Sequence, residues 1–312
     1  MLVDNVTDSL STNPSSVVPE WVSLLQRGRL PRLSGESTCW AHHGLSLLLT
    51  AERGEESHAI LFDAGPHAAT FLHNAELLGV DYGKIVAVVL SHGHWDHAGG
   101  LAAAVQAISG SRGSRVDCFM HPEMFAERAI RKPNGDLIRF ELIPDPVSLA
   151  EAGANVVSTR EPQFLAGGAF QVSGEIPRVT HYEAGFPGHV RRASERQDWE
   201  PDPLLIDERY ISVHLKDKGL VVFTACSHAG VNNVLLDARS RFPDVPLYGV
   251  FGGLHLAGAT EQIIPETVAD LRAFGPKLIA PGHCTGWRAL SAMAKVFGDE
   301  LVPLSVGKRY VL

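Results

Sequence analysis

Four side chains suited to holding metal ions stand within six positions: His92, His94, Asp96 and His97, in Ser91-His92-Gly93-His94-Trp95-Asp96-His97. They follow the apolar run Val86-Ala87-Val88-Val89-Leu90, which reads as a buried strand. In extended backbone, residues two apart point the same way, so His92 and His94 can close on one ion. Asp96 and His97 come where the chain turns into the helical run Leu101-Ala102-Ala103-Ala104-Val105, and can reach a second ion beside the first. Imidazole and carboxylate together suit zinc best, with manganese, iron and magnesium as alternatives.

Two ions need further donors. His228 and His283 each lie just past an apolar run (220–224 and 278–280) inside a glycine-containing turn, where loops could converge on the cluster. Cys226, close by, is either a thiolate ligand or a small buried residue. His181 and His189 are further candidates for a third ligand. His255 follows Gly252-Gly253 and is expected in the cleft for substrate binding or proton transfer, the alternative being a structural histidine in a tight turn. A divalent ion lowers the pKa of a coordinated water from 15.7 towards about 7, and the resulting nucleophile can attack a carbonyl or phosphoryl centre. Asp96 would anchor the second ion and orient the nucleophile, and His255 could protonate the leaving group.

Strands and helices must bring these loops together. Residues 45–50 and 58–62 read as a β-hairpin across the charged turn 52–56, followed by a helix over 71–78 closed by Gly79. After the strand 85–90 and the helix from 101 come a strand at 118–121, a helix over 122–131 and a turn at 132–136. His121, at that strand's end, reads as structural. Short β segments at 156–157 and 163–172 are assigned to a second sheet. Residues 186–202, with Arg191, Arg192 and Arg196 set against Glu195, Asp198 and Glu200, read as a mobile lid loop. The second half alternates again: a hairpin over 211–215 and 220–224 with His214 outward, a helix over 231–239 and a strand at 247–251. A helix over 265–274, a strand at 278–280 and a helix over 287–296 follow. Two mixed sheets face to face with helices outside, in one domain spanning 1–312, account for the pattern.

The sequence is similar to the metallo-β-lactamase superfamily of metal-dependent hydrolases. The nearer resemblance is to the subgroup containing the 7,8-dihydropterin-6-yl-methyl-4-(β-D-ribofuranosyl)aminobenzene 5'-phosphate synthases. It is carried by Ser91 to His97 and by Leu2-Val3-Asp4-Asn5, His43-Gly44-Leu45-Ser46, Leu61-Phe62-Asp63-Ala64-Gly65 and Gly174-Glu175-Ile176-Pro177-Arg178. Ala225-Cys226-Ser227-His228-Ala229-Gly230, Gly252-Gly253-Leu254-His255-Leu256 and Pro281-Gly282-His283-Cys284-Thr285-Gly286 extend it over essentially the whole chain. The resemblance implies an α/β fold of the αββα type and His283 in the last ligand motif. It also implies that Asp63 holds the ligand loop through hydrogen bonds, the alternative being a plain strand-ending turn. Glu175 and Arg178 fall in a loop that borders the active site, where they either contact substrate or form an ion pair with each other. The resembled proteins usually carry a bridging Asp where this chain has Cys226. They also usually start a few residues earlier than Met1, so the true start is expected slightly upstream.

The activity expected is that of a metal-dependent hydrolase acting on a small anionic ester, phosphoester or lactone. A transferase of the synthase type and a non-catalytic metal sensor are the alternatives. A formal net charge of −8 argues against nucleic acid as a partner, while bound ions would still attract a small anionic substrate. The four cysteines, without a Cys-x-x-Cys pair, suit a reducing cytoplasm. No leader and no 18-residue apolar run is visible, so a cytoplasmic protein without a membrane partner is expected; a homo-oligomer is compatible with the sequence.

Overall fold

Alternate residues of the strand Glu56–Phe62 enter different layers. Ile60 and Phe62 pack into an inner core, while Ala59 and Leu61 pack against helices on the other side. The period of two along the strand's buried half, residues 59–62, demands cover on both faces. In the neighbouring strand Ile85–Val89, Ala87 and Val89 point inward and Val88 outward, and a register shift after Ile85 puts that residue outward as well.

The computed structural model describes residues 1–29, 32 and 34–312. The first sheet runs, in spatial order, Leu47–Arg53, Glu56–Phe62, Ile85–Val89, Val116–Met120 and Ala154–Ser158. Its first pair is antiparallel and the rest parallel. The second sheet runs Leu278–Gly282, Leu247–Gly253, Gly219–Phe223, Ile211–Leu215, Phe170–Val172 and Gln163–Leu165, parallel among the first three and antiparallel beyond.

Between the sheets lie Leu47, Leu49, Phe62 and Val89 from one side and Phe170, Ile211, Val221, Phe223 and Phe251 from the other. Helices Ala68–Leu77 and Leu101–Arg112 cover the outer face of the first sheet. Val231–Arg241, Ile264–Ala273 and Trp287–Phe297 cover that of the second. Each large apolar side chain fully buried in these layers contributes about 1.5–3 kcal/mol, so three apolar layers fix which face every strand presents. The result is an αββα sandwich.

Three expectations change. Residues 122–131 do not form a helix: Pro122–Phe125 makes one 3-10 turn, and Glu127–Arg131 is a strand paired with His189–Arg192. Residues 156–157 belong to the first sheet, where Ala154–Ser158 lies parallel to Val116–Met120 at the edge. The polar stretch 186–202 is not a lid loop. It supplies His189–Arg192 and Glu200–Pro201 to a four-stranded sheet with Glu127–Arg131 and Leu137–Arg139. Its charges pair across strands, Arg191 with Glu200 at 3.0 Å and Arg192 with Glu127 at 2.6 Å. Among the described residues, no helix is long and apolar enough to cross a membrane.

Candidate metal centre

The candidate ligands sit on loops that leave the C-terminal ends of parallel strands in both sheets. The 92–97 segment follows Ile85–Val89, and Cys226 and His228 follow Gly219–Phe223. His255 follows Leu247–Gly253, and His283 follows Leu278–Gly282. These loops meet over one edge of the sandwich.

The rings of His92, His94 and His228 form a triangle, with centroids 4.5, 4.8 and 4.9 Å apart. His92 Nε2 and His94 Nδ1 face each other at 3.1 Å, close to the roughly 3.3 Å that two nitrogens on one tetrahedral zinc adopt. Beside them, Asp96 Oδ2 lies 3.3 Å from His283 Nε2 and 3.7 Å from His97 Nε2. Cys226 Sγ lies 3.2 Å from His97 Nε2. It groups with His92 and His228 on one side and with His97 and His283 on the other, so it stands at the junction of the two sets.

Every one of these rings except that of His228 is aimed through a second nitrogen. His97 Nδ1 lies 2.7 Å from Asp63 Oδ2, and Asp63 also accepts the Ser91 N–H and hydroxyl, each at 2.7 Å. The Ser91 hydroxyl lies 2.8 Å from His92 Nδ1. His283 Nδ1 lies 3.0 Å from Asn5 Oδ1, and Asp4 accepts the His283 N–H at 2.9 Å. His94 Nε2 lies 3.1 Å from His189 Nε2, whose Nδ1 rests on the Asp202 carbonyl at 2.9 Å. Outer-layer bonds of this kind fix ring orientation and tautomer in metal sites. Backbone strain collects here as well: Asp63, Ser227, His255 and His283 have φ of 60°, 58°, 43° and 48°. Left-handed non-glycine residues cost about 1–3 kcal/mol each and persist where surrounding bonds over-determine them. Gly93 is required by space, since a Cβ there would stand 2.2 Å from the Met124 carbonyl oxygen.

The donors suit a metal. His228 is buried with neither ring nitrogen hydrogen-bonded, and His283 Nε2, though near Asp96, is not aligned for a hydrogen bond. Buried orphan nitrogens cost about 1–3 kcal/mol each unless something binds them. Burial holds His92, His94 and His228 well below the ordinary histidine range, as neutral rings with free lone pairs. Burial also opposes charge on His97, but the Asp96 and Asp63 carboxylates outweigh it and push the ring up to about 9. Asp96 stays ionised despite burial, because His97 and His283 hold its carboxyl far below the usual range.

The remaining expected residues fall into place unevenly. His255 packs its ring 4.4 Å from that of His228 under Phe186, with Nδ1 unpartnered. His189 is part of the cluster, whereas His181 is exposed and apart from it. Glu175 and Arg178 do not pair with each other. Glu175 joins His121 at 3.1 Å and Arg160 at 2.6 Å, and Arg178 donates to the carbonyls of Ile176 and Leu204, so this guanidinium braces the loop.

Sequence reasoning missed His43, 3.5 Å from Asp96, and the carboxylates Asp207 and Glu208. Asp207 Oδ2 accepts the Gly93 N–H at 2.9 Å and Arg128 at 2.8 Å. Glu208 accepts the N–H groups of His228 and Ala229 at 2.7 and 2.6 Å. Burial raises Glu208 to about 7 against those two donors. The acidic pair at 207–208 was the only signal available.

Residues 42–196 match the family model described as the metallo-beta-lactamase superfamily. That segment, the 92–97 cluster included, carries the superfamily's domain. A relative from Methanocaldococcus jannaschii, 28% identical over 275 residues, covers 87% of this chain and 90% of its own length. It is 7,8-dihydropterin-6-methyl-4-(beta-D-ribofuranosyl)-aminobenzene-5'-phosphate synthase. An uncharacterised protein of the same organism is 27% identical over 285 residues, covering 86% and 93%. A crystal structure described as a metal-dependent hydrolase of the β-lactamase superfamily shares the fold, with a TM-score of 0.71 at 22% identity over 99% of this chain and 97% of that one. The metallo-β-lactamase superfamily implies divalent metal binding, and the donor sets above are where this chain could provide it.

Proposed function

We propose that this protein is a metal-dependent hydrolase acting on a small anionic ester, phosphoester or lactone. The observation that carries the reading is the pair of donor sets joined at Cys226, one of them containing a buried histidine with no other partner. His92, His94 and His228 would hold one ion; Asp96, His97 and His283 the other; Cys226 would serve either or both. Bound there, divalent ions would supply a water acidic enough to ionise near neutral pH and positive charge opposite a developing oxyanion.

The chain's own residues do the rest. Asp96, kept ionised among three histidines, accepts a hydrogen bond from the nucleophile and orients it. His255, with Nδ1 free of protein partners, passes a proton to the leaving oxygen. Phe186, stacked on His228 at 5.5 Å and 4.7 Å from His255, shields that side from water.

A second reading is favoured by the synthase relative, whose match covers most of both chains: a transferase that joins a pterin to a ribosylaminobenzene phosphate with loss of a phosphate group. One experiment separates the readings. Metal content is measured on the purified protein. The metal-replete chain is then assayed on phosphoesters, lactones and the pterin and ribosylaminobenzene phosphate pair. Hydrolysis lost in a His92→Ala/His94→Ala variant supports the first reading, and condensation of the pair supports the second. Two bound ions with no turnover on any of them would instead indicate a metal sensor.

A further inference from the structure

The first donor set is assembled from two different sheets, and nothing in the 92–94 loop or the 226–228 loop alone fixes their spacing. Three consecutive buried residues touch both. Asp207 takes the Gly93 N–H at 2.9 Å, between the two histidines of the first loop. The Arg209 N–H donates to the Ser91 carbonyl at 2.8 Å, on the near side of the same loop. Glu208, between them, takes the N–H groups of His228 and Ala229. Asp207 and Glu208 are each 1% exposed and Arg209 is fully buried.

The segment is itself anchored. The Arg209 guanidinium donates to the carbonyls of Ser173 and Glu161 at 2.9 and 2.6 Å, and Arg128 balances Asp207 at 2.8 Å. None of the hydrogen bonds made by residues 207–209 reaches Asp96, His97 or His283; His97 is held instead by Asp63, and His283 by Asp4 and Asn5.

We propose that Asp207, Glu208 and Arg209 form a positioning clasp that sets His228 against His92 and His94, and so governs the first ion without governing the second. The proposal rests on the metal reading above. A carboxylate spanning two adjacent N–H groups fixes both the place and the tilt of the peptide carrying His228. Loss of either bond lets the ring swing from its triangle while the fold around it stays packed.

The test uses the full chain loaded with zinc and a competing chelator. Wild type is expected to hold two ions. Glu208→Gln keeps the side chain's shape but leaves one oxygen to accept, and is expected to hold one ion as before and the other about 10–100-fold more weakly. Asp207→Asn tests the other arm and keeps the question open to measurement should Glu208→Gln fold poorly. Tyr210→Phe removes a buried hydrogen bond to Asp237, 2.7 Å long, at the very next position. A purely structural effect would appear there too, so this variant is expected to keep both affinities. In a His228→Ala background, Glu208→Gln is expected to change metal affinity no further, because the clasp acts through that ring. A folded Glu208→Gln protein binding both ions at wild-type affinity overturns the clasp. Wild-type protein binding no ion overturns the metal reading instead.

Discussion

Replacing Asp63 with asparagine exchanges one carboxylate oxygen for an NH2 group and will reset the tautomer of His97. Asp63 is fully buried and accepts three bonds, all at 2.7 Å, from the Ser91 N–H, the Ser91 hydroxyl and His97 Nδ1. In Asp63→Asn the amide oxygen can keep the Ser91 N–H, which leaves the NH2 facing His97. His97 Nδ1 must then accept, so in the neutral form of the ring, the form that can bind a metal, the one remaining proton sits on Nε2, the atom that faces Cys226 and Asp96. Nε2 loses the lone pair a metal needs. The metal-free protein loses one charge-assisted bond, about 1.5–3 kcal/mol. Affinity for the ion of the Asp96, His97 and His283 set falls about 10–100-fold, or roughly 1.4–2.7 kcal/mol at 1.36 kcal/mol per decade. Chelator competition followed by elemental analysis reads the affinity, and urea unfolding of the metal-free protein reads the stability. Two ions bound at wild-type affinity by a folded Asp63→Asn protein would refute the tautomer argument.

Filling the place of the orphan ring with an apolar side chain separates binding from stability: His228→Leu will lose an ion yet leave the metal-free protein as stable or more so, by up to about 1–3 kcal/mol in urea unfolding, since two unsatisfied nitrogens disappear. Gly93→Ala will drive a methyl into the Met124 backbone; it will cost about 1–3 kcal/mol, and more where that backbone cannot yield, and lower metal content together with stability. The stability of the metal-free protein will fall as pH drops below about 6.5, because His92, His94 and His228 stay neutral in the fold but take up protons when unfolded. His97 acts oppositely: its contribution is complete below about 6.5 and disappears as pH rises through its folded value of about 9. Thermal melts across pH 5 to 10 should therefore peak between those limits; a profile that keeps rising towards pH 5 would contradict the assignment of His92, His94 and His228, and one that keeps rising towards pH 10 would contradict that of His97.

Local chemistry was legible. The 92–97 cluster is compressed into six residues after an apolar strand, so its convergence needs only strand geometry. His228 and His283 could be found because each sits in a glycine turn just past a buried strand. The sandwich could be read because residues 59–62 and Gly219–Phe223 are apolar on both faces, which only two layers of cover can satisfy. What escaped was long-range. Asp207 and Glu208 look like ordinary surface acids until folding brings Gly93 and His228 to them. Arg191, Arg192 and Glu200 read as a lid loop, and Glu127 as part of a helix, because ion pairing across strands has no sequence period. Asn5 likewise carries no local sign of its partner.

The bonds from Asp4 and Asn5 to His283 join positions 279 and 278 residues apart. Contacts at such separation close late, because the entropy of bringing the ends together must be met before they contribute. A growing chain therefore displays His92, His94, Asp96 and His97 long before His283 has been made. Any ion caught at that stage meets only part of its ligand set and can leave again. On the proposed metal reading, the ligand shell would be completed by folding itself, so that tight metal retention would belong to the finished molecule and a half-made one would exchange its ion freely.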